Sequence, residues 1–316
     1  MRLFVNDQLQ RFMFNAAPVR GEIVALHNTW REVLERRAYP EPIAKLLGEM
    51  MAAAALLSAN LKFDGALIMQ IQGEGPVKMM VVQCNSDLTM RATAKVIGDI
   101  APDATLADLV NVNGGGRFAI TLDPADKHPG HQPYQGVVPL SNEAGPLSSM
   151  AEVLEHYMRH SEQLETRIWL ASNADRAVGM LLQKLPGDGG ILPHPGEHDS
   201  DTWDRVCHLG STLTQEELLT ADTETLLKRL FWQENVRRFE PANTRFLCSC
   251  SRAKVGGMLH MLGREEVDSI IEERGHVEIH CEFCNQRYEF DPVDVAQLFA
   301  APTISAGVVE ATEQKH

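Results

Sequence analysis

The sequence predicts an α+β protein with three parts. An N-terminal domain has a largely antiparallel sheet and helices; a helical linker and a small C-terminal four-cysteine zinc-binding domain follow. Three observations predict this. Strand-like runs separated by turn signals follow one another between residues 66 and 140 with no helix after each, so there is no βαβ alternation. A Pro/Gly-rich break at 186–201 gives way to leucines at helical spacing. Four cysteines then fall in two tight pairs, Cys248-x-Cys250 and Cys281-x-x-Cys284.

The elements follow in order. Asn6-Asp7-Gln8 reads as a turn, Val19 to His27 as a strand and Thr29 to Arg37 as the start of a helix. Pro40 to Asn60 is rich in Ala, Leu and Met and apolar nearly all round, the pattern of a buried helix. A meander of Ala66–Gln72, Val77–Cys84 and Leu88–Val96 turns at Gly73-Glu74-Gly75-Pro76 and Asn85-Ser86-Asp87. Strands are predicted at Arg117–Leu122, Gly136–Leu140, Thr166–Ser172 and Ala177–Leu185, with a helix at Met150–His160. Thr214-x-x-Glu217 is a capping box, and Leu218, Leu219, Leu226, Leu227, Leu230 and Phe231 recur at helical spacing beyond it. This segment is amphipathic, yet its sequence assigns it to neither core.

Helices at Lys254–Leu262 and Arg264–Arg274 are stopped by Gly263 and Gly275. His276–His280 and Arg287–Phe290 make a hairpin around the second cysteine pair, and Asp291-Pro292 caps a helix to Phe299. The expected division is a core at 1–186, a linker at 187–245, a zinc domain at 246–300 and a disordered tail at 301–316.

Composition bounds the function. The chain has 316 residues, 44% hydrophobic and 23% charged, enough for one large domain and one small one. Polar residues break Met1 to Phe14, so no signal-peptide core forms, and the apolar run Met50–Leu57 is too short for a bilayer. A cytoplasmic location with no membrane partner is expected, where clustered cysteines read as metal-binding or redox-sensing. The net charge of −14 argues against nucleic acid as a partner.

Closely paired thiols in two clusters suit a tetrahedral, sulfur-preferring ion. Cys248, Cys250, Cys281 and Cys284 are the expected ligands of one Zn2+ per chain in the reduced state. Four thiolates leave no open position, so the zinc is structural. His276 and His280 flank the second pair but read as the solvent face of a strand. Cys84 reads as a small core residue, and Cys207 as an unremarkable thiol, although a free, exposed one also fits its place in the linker. Gly114-Gly115-Gly116 reads as a hairpin turn rather than a phosphate cradle, since no Lys-Ser/Thr and no helix follow it. The chain has no phosphate loop, nucleophile elbow or His-Glu-x-x-His helix. No residue is assigned a catalytic role, and the protein is not expected to be an enzyme. Most of the thirteen methionines read as core filling, although they could also supply adaptable binding surface.

Phe246-Leu-Cys248-Ser-Cys250-Ser-Arg252, Leu262-Gly263-Arg-Glu-Glu266 and Cys281-Glu-Phe-Cys284-Asn285 before Tyr288-x-Phe290 closely resemble the redox-regulated 33 kDa chaperonin family. Its members are bacterial heat-shock holdases switched by oxidation. The likeness includes Gly114-x-Gly116-x-Phe118, Tyr134-Gln-Gly136-x-Val138-Pro-Leu140, Ser161-Glu-Gln163 and Gly179-x-Leu181-Leu182-Gln183-x-Leu185-Pro186. Glu165 departs from the family's usual proline, and Cys84 and Cys207 lie outside the four-cysteine set, which makes Cys207 a candidate for redox chemistry of its own.

The resemblance implies a client-binding core, a linker, a zinc switch and dimerisation on activation. It implies an ATP-independent holdase that binds unfolding proteins under oxidative stress, inactive when reduced and zinc-bound. Oxidation is expected to pair neighbours, Cys248 with Cys250 and Cys281 with Cys284, because each pair is tethered within disulfide reach once the metal leaves. The linker stripe must be covered at rest, and the zinc module directly after it is the nearest available brace. Two other readings of the cysteines are a zinc-ribbon module for nucleic acid or a protein complex, and a thiol–disulfide oxidoreductase using Cys281-x-x-Cys284.

Overall fold

The computed structural model describes residues 7–61, 64–126, 133–186 and 201–300. The chain divides into two compact units, residues 1–248 and 249–316. The fold is α+β, and the large sheets of the first unit are antiparallel but for one short edge pairing.

The first sheet runs Thr166–Ser172, Ala177–Lys184, Val19–Leu26, Gln8–Phe14 and Val236–Arg238, with Ala242–Asn243 also paired to Gln8–Phe14. The second runs Arg245–Phe246, Thr89–Val96, Val77–Asn85, Gly65–Gln72, Arg117–Pro124 and Tyr134–Pro139. Only Arg245–Phe246 lies parallel to its neighbour in these sheets. The helix Glu41–Ser58 explains how both sheets share one core. Its apolar side chains from Ile43 to Leu56 cluster with Val24, Leu26 and Leu181 of the first sheet and with Met69, Met80 and Phe118 of the second. A helix apolar nearly all round has little solvent face to offer, and beyond its first turn it is buried on almost every side.

Two sequence expectations give way here. Gln8–Phe14 is a strand that begins inside the expected turn, with Leu9, Phe12 and Phe14 buried. Asp7 meanwhile receives the backbone N–H groups of His27, Asn28 and Thr29 at 2.7, 3.0 and 3.0 Å, satisfying the start of helix Asn28–Arg36. Gly114 closes a turn by donating to Asn111 O at 3.1 Å, but the glycine run joins helix Leu106–Val110 to strand Arg117–Pro124 and closes no hairpin. Its amides are occupied by the chain itself: Gly115 donates to Glu74 Oε2 at 3.1 Å and Gly116 to Asn111 Oδ1 at 2.9 Å.

The linker's described part forms helices Thr202–Gly210, Gln215–Thr220 and Thr223–Phe231. Thr214 and Glu217 make the capping box read from the sequence. Leu218, Leu226, Leu227, Leu230 and Phe231 are buried in one cluster with Phe12, Phe14, Val19, Ile23, Met180 and Leu182. Those last residues form the face of the first sheet turned away from helix Glu41–Ser58. The stripe expected to need the zinc module as a brace is therefore covered by this sheet, and the linker joins the N-terminal core. Each such side chain contributes about 1.5–3 kcal/mol of burial free energy before ordering costs. Residues 187–200 and the tail 301–316, for which a loop and disorder were expected, lie outside the described residues. No described helix is long and apolar enough to cross a membrane.

The second unit holds helices Arg252–Leu262, Arg264–Arg274 and Pro292–Ala300 and the hairpin Val277–His280 with Arg287–Phe290. Its first two helices break at Gly263 and end at Gly275, both at positive φ, the conformation that glycine reaches without a Cβ penalty. Its buried core is small: Leu259, Val267, Val277, Phe290 and Val295.

Candidate metal centre

The Cys-x-Cys pair sits in an extended segment between strand Arg245–Phe246 and helix Arg252–Leu262. The backbone before it is fixed, since Leu247 N–H donates to Met90 O at 2.9 Å. The backbone after it is fixed too, because Ser251 caps the helix by accepting from Lys254 N. The second pair occupies the turn of the hairpin. Cys281 N–H donates to Gln286 O at 3.0 Å and Asn285 N–H to Cys281 O at 2.9 Å. Asn285 takes φ +58, a left-handed conformation that Asn tolerates better than most residues. The chain thus curls around Cys281 and Cys284 and turns their sulfurs inward.

The result is one group of four sulfurs, from Cys248, Cys250, Cys281 and Cys284, all within 4.8 Å of one another. Cys250 and Cys284 sulfurs are 3.3 Å apart. A tetrahedral ion with sulfur ligands at about 2.3 Å needs sulfurs about 3.8 Å apart, so the group fits. The four residues could hold a metal ion, and all four are half-buried. No disulfide joins any of the six cysteines.

Two contacts around the sulfurs were not singled out from the sequence. Tyr288 donates its hydroxyl to Cys250 Sγ at 3.1 Å, and Arg91 Nη1 lies 3.9 Å from Cys248 Sγ. Such donors orient thiolates and offset their charge. Tyr288 stands four residues beyond Cys284 on the hairpin strand, a spacing that points back at the knuckle only once the hairpin is known. Arg91 comes from a strand far away in sequence, where Gln83 Oε1 also holds it at 2.7 Å, and no local signal could have found it.

The remaining candidates fall outside the group. His280 Nε2 meets Glu278 Oε1 at 2.9 Å and His276 Nε2 lies 3.8 Å from Glu278 Oε2, so both histidines are on the carboxylate-bearing outer face. Cys84 is buried in the core, and burial pushes its thiol up to about 12. Cys207 is a free thiol, half-buried in helix Thr202–Gly210 rather than exposed, and burial pushes it up to about 11.

The Hsp33 protein family model matches residues 7–291, nearly the whole chain. The chain belongs to the Hsp33 family. A 33 kDa chaperonin of Chromobacterium violaceum is 47% identical to it over all of both chains. One from Methylobacillus flagellatus is 46% identical over 96% of this chain and 98% of that one. Among solved structures, the 33 kDa chaperonin of Thermotoga maritima, a heat shock protein 33 homologue, has the same fold, with a TM-score of 0.76 at 23% identity over 93% of this chain and 98% of that chain. The Hsp33 resemblance carried by the cysteine context thus extends through the fold of both units.

Proposed function

We propose that this protein is a redox-regulated, ATP-independent holdase that keeps unfolding proteins from aggregating. The observation that carries the proposal is the four-sulfur group in a member of a family whose relatives are named chaperonins. In this reading the core at 1–186 and the linker at 187–245 hold clients, and 246–300 is the switch. One Zn2+ is bound by Cys248, Cys250, Cys281 and Cys284 in the reduced state, and the protein is inactive.

The small core of the second unit supports a structural role for the metal. Five buried apolar side chains are few for a module of this size, whereas zinc binding contributes roughly 10–16 kcal/mol to folding in small peptides. Thiolates are also the form that oxidants attack. The four thiolates would give four electrons to two molecules of peroxide, which take up four protons and leave as water. With the ion gone from the four sulfurs, two disulfides would form, Cys248–Cys250 and Cys281–Cys284.

The module then unfolds. The linker, continuous with Cys248 through the short strands Val236–Arg238, Ala242–Asn243 and Arg245–Phe246, loses the anchor at its C-terminal end. Its release uncovers two apolar faces at once, the leucine stripe and the sheet face bearing Phe12, Phe14, Ile23 and Met180. Exposed patches of that kind bind unfolded segments or a second copy of the chain, giving an oxidised homodimer. The cytoplasm, whose reducing poise keeps the thiols ready, suits such a switch.

The deciding experiment measures aggregation of a denatured client with and without peroxide, alongside zinc content. Suppression only after oxidation, with metal loss, supports the holdase. Turnover of dithiol substrates without suppression would replace it with an oxidoreductase, and neither result would leave a zinc-ribbon binding module.

A further inference from the structure

Glu49 lies midway along helix Glu41–Ser58 and is only 8% exposed. Its carboxylate has no hydrogen-bond partner among the described residues. It lines two cavities. One, of about 200 Å3, lies under the linker and is walled by Trp169 of the core and by Leu213, Thr214, Gln215 and Leu218. The other, of about 480 Å3, adds Glu41, Lys45 and Asp103.

Ser149 and Thr214, the N-caps of helices Met150–His160 and Gln215–Thr220, also line the cavity under the linker. Helix N-termini ordinarily welcome an anion. Here both already hold one of their own. Glu152 accepts from Ser148 N–H at 2.8 Å, and Glu217 accepts from Thr214 N–H at 3.0 Å. The charged groups that line the two cavities with Glu49 are Glu41 and Lys45 on its own helix and Asp103 in the loop before Thr105, while Glu152, Glu216 and Glu217 belong to the helices whose N-caps reach the cavity. Strand Thr166–Ser172 brings only Ile168, Trp169 and Leu170 to the site. Among the described residues Lys45 is the one cation that lines the larger cavity, Glu41, Asp103 and Glu49 are its carboxylates, and no donor hydrogen-bonds to Glu49.

We propose that Glu49 is a pH-sensitive latch beneath the linker: as a neutral carboxyl it lets helix Gln215–Thr220 stay seated, and its ionisation favours release of that helix. A carboxylate this buried, with no hydrogen bond among the described residues, costs desolvation that lifting helix Gln215–Thr220 into water relieves. Burial, opposed by Lys45, raises the Glu49 carboxyl to about 7. When the linker lifts, the group returns toward the ordinary carboxylate range, so the seated state holds its proton more tightly. Seating is then strongest below the ordinary carboxylate range, weakens as pH rises from there to about 7, and levels off above. The latch concerns docking alone and depends on neither metal nor oxidation.

The test is hydrogen exchange of the amides of 215–231 in the reduced, full-length protein, corrected for intrinsic exchange, from about pH 5.5 to about pH 8.5. Glu22 is also buried, and burial, opposed by Arg20, raises its carboxyl to about 7, so the criterion is the difference between the native protein and Glu49→Gln. Native protection should fall at least about fivefold across the range, with most of that fall abolished in Glu49→Gln. An equal fall in both proteins, or none in the native one, overturns the latch. If Glu49→Gln does not fold, a carboxyl titration of Glu49 by NMR in the native protein decides: a midpoint below about 5 overturns it, and one near neutrality upholds it.

Discussion

Phe231, the last residue of helix Thr223–Phe231, meets Phe14 edge to face, with ring centroids 5.1 Å apart and planes at 88°. Phe12 joins them at 5.9 Å from Phe231. The linker is thus anchored on the N-terminal strand of the sheet by an aromatic cluster, and this contact lies at the centre of what must open for the linker to bind anything else.

Loosening that contact should switch the protein on without oxidant. Leu226, Leu227 and Leu230 are 1%, 7% and 3% exposed, so their joint replacement by Asp places charges in an apolar seat. Phe231→Ala, which costs about 3–5 kcal/mol when a buried ring is removed, is the milder version. Both variants should show faster linker hydrogen exchange and should suppress client aggregation while reduced and metal-loaded. A variant whose linker is open by exchange, yet which stays inactive in light scattering, would place the gate elsewhere.

One Zn2+ per chain is expected in the reduced protein. Cys281→Ser should lose it, as should serine at Cys248, Cys250 or Cys284, since all four sulfurs belong to one group. Cys84→Ser and Cys207→Ser should keep full occupancy by metal analysis, because neither thiol is in that group. Full retention of zinc by Cys281→Ser would end the four-thiolate assignment.

The hydroxyl of Tyr288 should matter to the metal and little to the fold. Tyr288→Phe keeps the ring and removes the donor to Cys250 Sγ. Losing such an outer contact typically lowers metal affinity about 10–100-fold. Competition with a chromophoric chelator measures this, and an unchanged affinity would show the contact to be incidental.

Thiol reactivity should sort the six cysteines. Burial raises Cys207 to about 11 and Cys84 to about 12, so near neutral pH both are almost wholly protonated, and raising the pH increases their reactivity. With the metal chelated and the protein reduced, alkylation followed by mass spectrometry should label Cys248, Cys250, Cys281 and Cys284 first. Cys207 should follow slowly, and Cys84 only on unfolding. Rapid labelling of Cys207 would restore it as a redox candidate.

Peroxide should join Cys248 to Cys250 and Cys281 to Cys284. The pair at 3.3 Å in the reduced form is instead Cys250 with Cys284, so metal release must precede pairing for tethered neighbours to win. A Cys-x-Cys bridge closes a tight ring and is the more easily reduced of the two. Peptide mapping dominated by links across the two pairs would overturn this connectivity.

The sequence alone determined the elements whose signals are local. Helices Met150–His160 and Arg264–Arg274 and strands Thr166–Ser172 and Arg287–Phe290 begin and end where their apolar spacing and, for Arg264–Arg274, the flanking glycines place them. The four-cysteine group was legible for the same reason, since a thiol pair one or two residues apart is already a local geometry. What only the tertiary structure decided are relations between distant residues. Gln8–Phe14 is half polar and reads as strand only beside its partners, which include Val236–Arg238 more than two hundred residues away. The linker's apolar stripe shows that something covers it, but many faces could satisfy a stripe, and only packing selects the sheet face of Phe12, Phe14 and Ile23. Glu49 looks in sequence like a charge that interrupts an apolar helix. Its burial under the linker is set by the whole fold, because Trp169 of the core and Leu213 and Leu218 of the linker wall the cavity it lines.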